Sequence, residues 1–536
     1  MDWSYLSIPA MRDEVWFGDR IVPAFVERPQ SVWAMVADAA KRRPDSEALV
    51  CGEQRLTWRD IAHQSACIAG ALEAMGIRAG DRIALLLGNR TEFVLAWFAA
   101  AHLGAVAVPL SHRLQRAEIG YIVNHCAARL IIHEAALADR VPDIVEAPDL
   151  RRRITVGGGN GAASFGDLLN AAPRAEPAAV DEEDIALILY TSGTTGQPKG
   201  AMLAHCNIIH SAMVYEACLE LTEADRSIAA VPFAHVTGIV ANIAVMVRCA
   251  GALIITPDFK AAEFLAIAAR ERMTHTIMVP AMYNLCLLQA DFDRYDLSAW
   301  RIGGYGGAPM PTVTIERLAT KLPQLKLINA YGATETTSPS TIIPPQFTAS
   351  HSDSVGLPCP GARIVIMDDN GREMPRGEVG ELWIHGASVI RGYWNNPQAT
   401  AENLVAGYWR SGDLGTLDTD NFVRVLDRKK DMINRGGMKI FSAEVESVLA
   451  SHPDVVESAV IPDPCPVLGE RVRAIVVARR PEVEAHELRA WCAARLSDYK
   501  VPETIIFRES PLPRNANGKV LKRQLRDDRQ TLPQPT

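Results

Sequence analysis

A loop rich in hydroxyl and glycine residues is the part of this sequence whose chemistry is most readily stated. It reads Tyr190-Thr-Ser-Gly-Thr-Thr-Gly-Gln-Pro-Lys199-Gly200 and directly follows an apolar run that begins at Ile185. Such a run is typical of a buried strand, and the loop that leaves it can direct backbone N–H groups and hydroxyls at a polyphosphate. The loop therefore indicates nucleotide chemistry. A polar surface turn is the alternative, but a turn has no need of this order of Thr, Ser and Gly ending in Pro-Lys-Gly.

Two other phosphate-binding patterns do not fit the chain. A Walker loop has four residues between its first glycine and the Gly-Lys pair, whereas Gly193 and Gly196 are two residues apart and Lys199 follows Pro198. A second glycine-rich stretch, 303–309, misses the dinucleotide fingerprint because a proline stands at the third glycine position. The nucleotide is therefore bound by a different kind of loop.

Composition narrows the class of protein. The chain has 536 residues, which is too long for one ordinary core, so we expect at least two domains. Its 48% hydrophobic and 22% charged residues describe a globular protein, and a net charge of −8 argues against nucleic acid as a main partner. Ten cysteines lie far apart without metal-ligand spacing, which predicts free thiols in a reducing, cytoplasmic compartment.

Neither a secretory signal nor a membrane segment is predicted. The first residues lack a basic region followed by an apolar core. The longest apolar region, 93–110, contains His102, Gly104 and Pro109 and is better explained as a buried helix that runs into a strand. We therefore expect no integral membrane segment.

The elements around these motifs alternate between strands and helices. Residues 57–76 have a helical apolar spacing, with Thr57 as N-cap, Asp60 three positions on and Gly76 at the end. A strand from Asp81, a helix from Thr91 and a strand over 105–109 follow, and the same rhythm recurs around 253–280 and 326–343. This order predicts an α/β fold with parallel strand pairs.

The pattern of predicted elements changes after about residue 355. Short strands with Gly and Pro turns predict a small antiparallel β unit over 355–429. The charged tract 427–431 separates this unit from a last segment, 432–536, with its own helices near 442–451 and 484–496 and its own strands near 456–461 and 473–478. We expect this segment to be a separate domain.

Five motifs in series identify the chain as similar to the adenylate-forming superfamily, which includes acyl-CoA synthetases, peptide-synthetase adenylation domains and firefly-type luciferases. The resemblance extends from about residue 30 to 525. It rests on the 190–200 loop, Gly306-Gly-Ala-Pro309, Asn329-Ala-Tyr-Gly-Ala-Thr-Glu335, Tyr408-Trp-Arg-Ser-Gly-Asp413 with Asp427-Arg428, and Pro513-Arg-Asn-Ala-Asn-Gly-Lys519.

The fold that the resemblance implies has two parts. An N-terminal AMP-binding domain, 1–429, consists of two α/β subdomains and a small β-barrel-like subdomain, and a mobile α+β domain, 430–536, follows a hinge at Lys430. The small domain would swing there and exchange Lys519 for the loop 435–439 at the active site.

The resemblance also implies roles for individual residues in binding ATP, Mg²⁺ and coenzyme A. The β- and γ-phosphates would lie against Thr191, Ser192, Gly193, Thr194, Thr195, Gly196 and Lys199. Adenine and the α-phosphate would contact Gly306, Gly307, Ala308, Asn329, Tyr331, Gly332 and Thr334, and the ribose Asp413 and Arg428. Glu335, with Thr191, would hold Mg²⁺, a hard cation that prefers oxygen ligands. The catalytic candidates are Lys519, Thr191, Glu335 and His235.

Single motifs have plainer alternatives. Asp413 suits a turn, Glu335 a surface carboxylate or a cap, Lys519 a turn after Asn517-Gly518, and the tract 428–430 a solvated charge run. Gly436 and Gly437 would flank the pantetheine tunnel, where a missing side chain leaves room. Lys439 would face the acyl-adenylate phosphate.

The acyl pocket is expected around the segment Val231-Pro-Phe-Ala-His235-Val-Thr-Gly238. Peptide-synthetase adenylation domains have an Asp after the corresponding Phe, but Ala234 stands here, so an amino acid's ammonium would be buried unpaired. His235 resembles the aromatic gate of fatty and aryl acid ligases. The expected wall is Phe233, His235, Val236, Thr237, Gly238, Met282, Gly304, Tyr305 and Ala330, without Lys or Arg, which disfavours dicarboxylic acids.

The main interpretation is an AMP-forming acid–CoA ligase, with a medium- or long-chain fatty acid favoured. An aryl or arylalkenoic acid, and an enzyme that loads a carrier protein instead of CoA, stay open as alternatives. A non-catalytic nucleotide-binding regulator is disfavoured because Lys519 and Glu335 are both present. The partners are thus small molecules, and the assembly, including a homodimer, stays open.

Overall fold

The computed structural model describes residues 1–158, 163–191, 197–514 and 520–528. Its internal contacts divide the chain into two compact units. The first unit comprises Met1–Ile364, Trp383–Arg410 and Asp420–Val423, and the second comprises Val365–Leu382, Ser411–Thr419 and Arg424–Thr536. Among the described residues, no helix combines the length and the apolar character needed to cross a membrane.

The α-helices of the described residues are numbered along the chain: α1 (Val32–Arg42), α2 (Trp58–Ala74), α3 (Thr91–Leu103), α4 (Arg116–His125), α5 (Phe165–Leu169), α6 (His205–Cys218), α7 (Val245–Cys249), α8 (Ala261–Arg270), α9 (Pro280–Gln289), α10 (Thr312–Lys321), α11 (Pro397–Asn403), α12 (Ser442–Ala450), α13 (Ala485–Ala493) and α14 (Lys522–Asp527). A π-helix, Thr237–Ala244, runs directly into α7.

The strands of the first sheets are β1 (Met11–Trp16), β2 (Arg20–Phe25), β3 (Glu47–Cys51), β4 (Gln54–Thr57), β5 (Arg82–Leu86), β6 (Val106–Pro109), β7 (Leu130–Glu134), β8 (Arg152–Val156), β9 (Ala163–Ser164), β10 (Ile185–Thr191), β11 (Lys199–Ala204), β12 (Arg226–Ala229), β13 (Ala252–Ile255), β14 (His275–Met278), β15 (Ile302–Tyr305), β16 (Lys326–Tyr331), β17 (Thr341–Ile342) and β18 (Leu357–Pro358). The later strands are β19 (Arg363–Met367), β20 (Gly380–His385), β21 (Leu404–Val405), β22 (Tyr408–Leu417), β23 (Val423–Arg428), β24 (Ile433–Arg435), β25 (Met438–Ile440), β26 (Val455–Cys465), β27 (Gly469–Ala478) and β28 (Thr504–Phe507).

Two large, mostly parallel sheets form the first unit. One has the order β11-β10-β6-β5-β7-β8-β9 and the other β18-β17-β16-β15-β14-β12-β13-β3-β4. The pairs β5–β6, β12–β13, β14–β15 and β15–β16 are parallel. The predicted α/β fold with parallel pairing is therefore confirmed. The motif loops follow β10, β15 and β16 at the carboxyl ends of these strands, where α/β proteins bind ligands.

Local signals in the sequence explain where the helices form. Thr57 is the N-cap of α2, its hydroxyl accepts from the Asp60 N–H at 3.2 Å, and Asp60 Oδ2 accepts from the Thr57 N–H at 2.8 Å. This capping box is the predicted one. Gly76 follows the helix with a φ of 91°, which favours glycine. Helix α3 is buried along its whole length, as expected for the apolar region.

The second unit contains a sheet of its own. Its strands have the order β25-β24-β27-β26, with β28 parallel to β27. Helices α12 and α13 pack on it around a core that includes Val445, Leu449 and Leu488. These elements match the predicted helices and strands of the C-terminal segment. The strands between residues 363 and 428 are divided between the two units, so the boundary at 429/430 and the hinge at Lys430 stay predictions.

Candidate active site

Thr191 and Glu335 lie side by side, although 144 residues separate them in the chain. Thr191 is the last residue of β10, and Glu335 lies in the 3₁₀ helix Thr334–Thr336 that follows β16. Thr191 Oγ1 donates to Glu335 Oε1 at 3.5 Å, a long hydrogen bond. Both side chains are partly exposed. The two strands belong to different sheets, so the fold brings the two predicted magnesium ligands together.

Tyr393 is a third member of this cluster, and the sequence analysis missed it. Its hydroxyl donates to Glu335 Oε1 at 3.0 Å. Burial and the neighbouring Glu335 carboxylate raise the pKa of Tyr393 well above its usual range, so the hydroxyl keeps its proton. Ile390, in the same segment, donates its N–H to the Glu335 carbonyl at 3.0 Å. An aromatic residue in an irregular segment carries no periodic signal that would have pointed to Glu335.

Lys199 lies beside the same group. Its Nζ is 5.3 Å from the centroid of the Tyr393 ring, a cation–π distance. Its carbonyl oxygen is 3.5 Å from Thr191 Oγ1, because β10 and β11 pair with Thr191 opposite Lys199. The hairpin thus presents a hydroxyl and an ammonium group at one end, which suits a polyphosphate.

The residues present fit a magnesium ion held together with a nucleotide. Within the described ranges, no group of three or more His, Cys, Asp or Glu side chains could hold a metal by itself. Mg²⁺ is usually bound through one or two carboxylates together with substrate phosphates and water. One oriented carboxylate, Glu335, and the Thr191 hydroxyl are consistent with that mode.

The glycine turn after β15 forms an open surface. A Cβ on Gly306 would lie 2.4 Å from the Ala330 carbonyl oxygen, so only glycine fits against β16 there. Gly307 has a φ of 77°, which favours glycine. Gly307 and Ala308 are exposed. The backbone of this turn is therefore accessible to a flat ring, as the adenine role requires.

The adjoining strand β16 presents the other predicted nucleotide contacts. Asn329 donates its Nδ2 to the Ser354 carbonyl at 3.3 Å, so its Oδ1 is the atom that would accept from the adenine amino group. Tyr331, Gly332 and Thr334 follow and are partly exposed. A Cβ on Gly332 would lie 3.2 Å from Ser338 Cα, so the residue is also required by close packing.

In the second unit, Asp413 and Arg428 form an ion pair. Arg428 Nε lies 2.8 Å from Asp413 Oδ1, and the Asp413 side chain is almost fully buried. Asp413 lies inside β22 and Arg428 ends β23. The alternative of a simple turn residue is therefore wrong for Asp413. A buried carboxylate beside a guanidinium group is suited to accepting ribose hydroxyls.

The predicted tunnel glycines form the turn of the β24–β25 hairpin. Gly436 and Gly437 have φ values of 60° and 90°, as a two-residue hairpin turn of type I′ requires. The turn explains both glycines without reference to a ligand. A Cβ on Gly437 would have no atom within 4 Å. Lys439 follows in β25 with its side chain exposed.

Comparison with known proteins decides the family. Residues 36–394 match the family model described as AMP-binding enzyme, and residues 444–519 match that of the AMP-binding enzyme C-terminal domain. The chain belongs to the AMP-binding enzyme family. The predicted resemblance is thereby confirmed.

Relatives of this AMP-binding enzyme include the feruloyl-CoA synthase of Amycolatopsis sp, 33% identical over 500 residues that cover 93% of this chain and 99% of the relative. A long-chain-fatty-acid–CoA ligase of Mycobacterium tuberculosis is 34% identical over 474 residues, 88% of this chain and 93% of the relative. The crystal structure of the anthranilate CoA ligase AuaEII with anthranoyl-AMP superimposes with a TM-score of 0.87 at 26% identity, over 94% of this chain and 98% of that one. The predicted fold and the prediction of an acid–thiol ligase are confirmed.

The residues predicted to line the acyl pocket of this AMP-binding enzyme have different surroundings, and their role stays a prediction. Phe233, Val236 and Ala330 are buried in one core cluster. His235 and Thr237 are partly exposed; Thr237 donates its N–H to His235 Nδ1 at 3.3 Å. Burial lowers the pKa of His235, so the ring is neutral at pH 7. The gate candidate therefore adds no positive charge to the pocket.

Four other residues of the predicted pocket wall have structural roles in packing. Tyr305, in β15, and Met282, in α9, belong to a second core cluster, separate from the one that contains Phe233. A Cβ on Gly304 would lie 2.6 Å from Ile277 Cγ1, and one on Gly238 would lie 2.2 Å from the Pro232 carbonyl oxygen. Both glycines are thus required by packing.

Several predicted residues of this enzyme lie outside the described ranges. They are Ser192, Gly193, Thr194, Thr195, Gly196 and Lys519. Their roles as phosphate loop and catalytic lysine stay predictions.

Proposed function

We propose that this AMP-binding enzyme is an ATP-dependent ligase that joins an aromatic carboxylic acid, of the aryl or arylalkenoic class, to coenzyme A. In the first step a carboxylate oxygen attacks the α-phosphorus of ATP, and the bond to the β-phosphate oxygen breaks, which yields acyl-AMP and pyrophosphate. In the second step the CoA thiol loses its proton and attacks the acyl carbon, and AMP leaves. The observation that carries the proposal is the convergence of Thr191, Glu335 and Tyr393 at one carboxylate oxygen.

The residues have distinct tasks in the first step. Glu335, oriented by Tyr393 and Thr191, is positioned to hold a cation beside the phosphates. Mg²⁺, when bound, neutralises charge that develops on the departing pyrophosphate. Lys199 adds a cation at the end of the β10–β11 hairpin. Lys519 is proposed to approach the carboxylate and the α-phosphate together, so that two anions can meet.

Two groups of residues are proposed to contact the nucleoside. The 306–308 turn, Tyr331 and the Asn329 amide oxygen suit adenine, and Asp413 with Arg428 suits the ribose hydroxyls. Positioning and electrostatic stabilisation then supply most of the rate.

The character of the pocket supports a monocarboxylic acid with an uncharged tail. The predicted wall has neither Lys nor Arg, and His235 is neutral. Burial of an unpaired ammonium or second carboxylate there would cost more than the roughly 2–7 kcal/mol of an unpaired neutral polar group. Feruloyl-CoA synthase and anthranilate CoA ligase, both named for aromatic acids, are among the similar proteins.

A medium- or long-chain fatty acid is the second candidate. It is favoured by the relative from Mycobacterium tuberculosis, a long-chain-fatty-acid–CoA ligase. The two candidates differ in the shape of the tail but not in the reaction, so the same assay separates them.

The test is an acid panel in two stages. Pyrophosphate release and AMP formation are measured with ATP and Mg²⁺ for benzoic, cinnamic and C8–C16 fatty acids, first without and then with CoA. We expect acyl-AMP formation with an aromatic acid and a thioester after CoA is added. Conversion of ATP to ADP with every acid would overturn the proposal. If a thioester formed only with the phosphopantetheine of a carrier protein, the acceptor would be the carrier protein and not CoA.

A cytoplasmic location is part of the proposal. Its support is that all ten cysteines, each within the described ranges, carry free thiols, as expected in a reducing compartment. The possible homodimer is tested by light scattering on the purified enzyme.

A further inference from the structure

Asn242 is a fully buried polar side chain on the π-helix Thr237–Ala244. Its Nδ2 donates to the Thr237 carbonyl at 3.0 Å. Its Oδ1 is buried and has no hydrogen-bond partner among the described residues. A reversed amide would set its oxygen against the Thr237 carbonyl, two acceptors face to face. The oxygen is therefore the open atom of this group.

The position of Asn242 relates it to the acyl pocket. Helical side chains lean towards the N-terminal turn, and the bond to Thr237 places the carboxamide over the turn that contains Thr237 and Gly238. Both residues belong to the predicted pocket wall. Thr237 in turn donates its N–H to His235, the gate candidate. A hydrogen-bonded series thus runs from His235 through Thr237 to Asn242.

The helix type is the second feature. Its i→i+5 turns are rare in proteins and are frequently found at functional sites. In this chain the wider turn of residues 237–242 lets the Asn242 side chain reach back to the Thr237 carbonyl. Because the amide nitrogen is hydrogen-bonded to this carbonyl, the orientation of Oδ1 is fixed.

An open acceptor in a buried wall discriminates between ligands. Buried polar atoms in proteins are almost always paired, and an unpaired one is costly. A wholly apolar acyl tail packed against Oδ1 would leave it unpaired, whereas a hydroxyl or amino group on the tail would pair with it. A site built to hydrogen-bond a substrate hydroxyl or amino group strongly rejects an analogue that lacks this group. An apolar pocket discriminates less between substrates that differ by one methylene or hydroxyl group.

We propose that Asn242 Oδ1 accepts a hydrogen bond from a hydroxyl or amino group on the tail of the acid, and so makes donor-bearing acids the preferred substrates. This inference rests on the proposed function and adds to it the chemical class of the tail. A buried water on Oδ1 is the competing explanation, and it predicts no preference among acids.

The experiment compares matched acids. The ratio of kcat/KM for pyrophosphate release is measured for 2-, 3- and 4-hydroxycinnamic and 4-aminocinnamic acid against cinnamic acid. The wild type is compared with Asn242→Leu, which keeps the volume and removes the acceptor. Ser65→Ala is the matched control, because Ser65 Oγ is also buried and unpartnered but lies on α2, outside the site. Dodecanoic and 12-hydroxydodecanoic acid form the same comparison for a fatty acid.

The expected result is a preference of about 10- to 100-fold for at least one donor-bearing acid in the wild type and in Ser65→Ala. In Asn242→Leu the ratio of kcat/KM values falls towards one, while kcat/KM for cinnamic acid stays the same as in the wild type or rises. A ratio that is the same in wild type and Asn242→Leu overturns the inference.

The wild type by itself also provides a test, should Asn242→Leu fail to fold. Equal kcat/KM for donor-bearing and donor-free acids in the wild type overturns the inference and leaves the ligase proposal intact. If none of these acids is adenylated, the proposed function fails as well.

Discussion

The hydroxyl of Tyr393 donates to Glu335 Oε1 at 3.0 Å, and the Thr191 hydroxyl meets the same oxygen at 3.5 Å. Two donors from distant segments therefore orient one carboxylate. The ring of Tyr393 also lies next to Lys199 Nζ. The predicted metal ligand is thus held by a residue that belongs to none of the five motifs on which the family resemblance rests.

Tyr393→Phe should weaken the first half-reaction. It removes a hydrogen bond to a charged group, a contribution of about 1.5–3 kcal/mol, so we expect kcat for pyrophosphate release to fall roughly 10- to 100-fold and the Mg²⁺ requirement to rise. Thioester formation from supplied acyl-AMP should change little. Tyr5→Phe, at a half-exposed position outside the site, is the control. Equal loss of both half-reactions would mean that Tyr393 has only a structural role.

Lys519→Ala, like Tyr393→Phe, should impair the first half-reaction and spare the second. Loss of one cation that bridges two anions is expected to lower acyl-AMP formation by about 100-fold or more. Single-turnover conversion of acyl-AMP and CoA to the thioester should be retained. Lys321→Ala, which removes an exposed lysine paired with Asp293, should keep both activities. A Lys519→Ala variant that forms acyl-AMP normally would exclude the catalytic role.

Gly437→Trp tests whether the β24–β25 turn borders the path of the CoA thiol. The backbone has a φ of 90° there, so any side chain brings some strain. Gly437→Asn is the matched control, because Asn tolerates the left-handed region. We expect both variants to form acyl-AMP and Gly437→Trp alone to lose thioester formation, measured by CoA consumption. If Asn and Trp reduce thioester formation equally, the cause is strain in the turn.

Stability should depend on pH through Arg28. Its Nη2 lies 2.6 Å from Glu14 Oε2 and 2.7 Å from Glu182 Oε1, with the guanidinium group almost fully buried. The hydrogen bond from Arg28 lowers the pKa of Glu14 from 4.5 to about 2. Since the folded pKa is the lower one, the stabilisation, about 3 kcal/mol, is present above pH 4.5 and is lost as the pH falls towards 2.

Arg28→Met should therefore lower Tm strongly at pH 7 and less at pH 3, because protonated carboxyls need no cation. The expected cost at pH 7 is about 3–5 kcal/mol, since two carboxylates lose their partner. Arg12→Met is the control: Arg12 also pairs with Glu14 but is largely exposed, so its loss should cost about 1 kcal/mol or less. A Tm difference between Arg28→Met and wild type that does not change with pH would contradict this assignment.

Much of the local structure could be predicted from the residues. The capping box of α2, the buried helix α3, the alternation of strands and helices around them and the helices of the last segment all follow from spacing and caps. The reason is that these signals act over a few residues. The Asn329–Glu335 motif could also be located, since its residue types and order are specific to the chemistry, whereas the role of the loop 192–196 stays a prediction.

The roles of several glycines could not be separated in this way. Gly436 and Gly437 suited a tunnel, and the structure shows that the hairpin turn by itself also favours glycine at both positions. Gly304 suited a pocket wall, but it is required by the close approach of Ile277. A glycine in a sequence does not show whether it leaves room for a ligand, for a neighbouring side chain or for a tight backbone turn.

The sequence by itself determined that an acid is activated with ATP, because the motifs keep their order and the elements between them follow local rules. Only the tertiary structure decided which groups meet: Tyr393 with Glu335 across 58 residues, and Arg28 with Glu182 across 154. It also decided that Asn242 Oδ1 is buried without a hydrogen-bond partner among the described residues. The physical reason is that such contacts depend on which strands are neighbours and on which face each side chain lies, and neither is encoded in the spacing of residues along one segment.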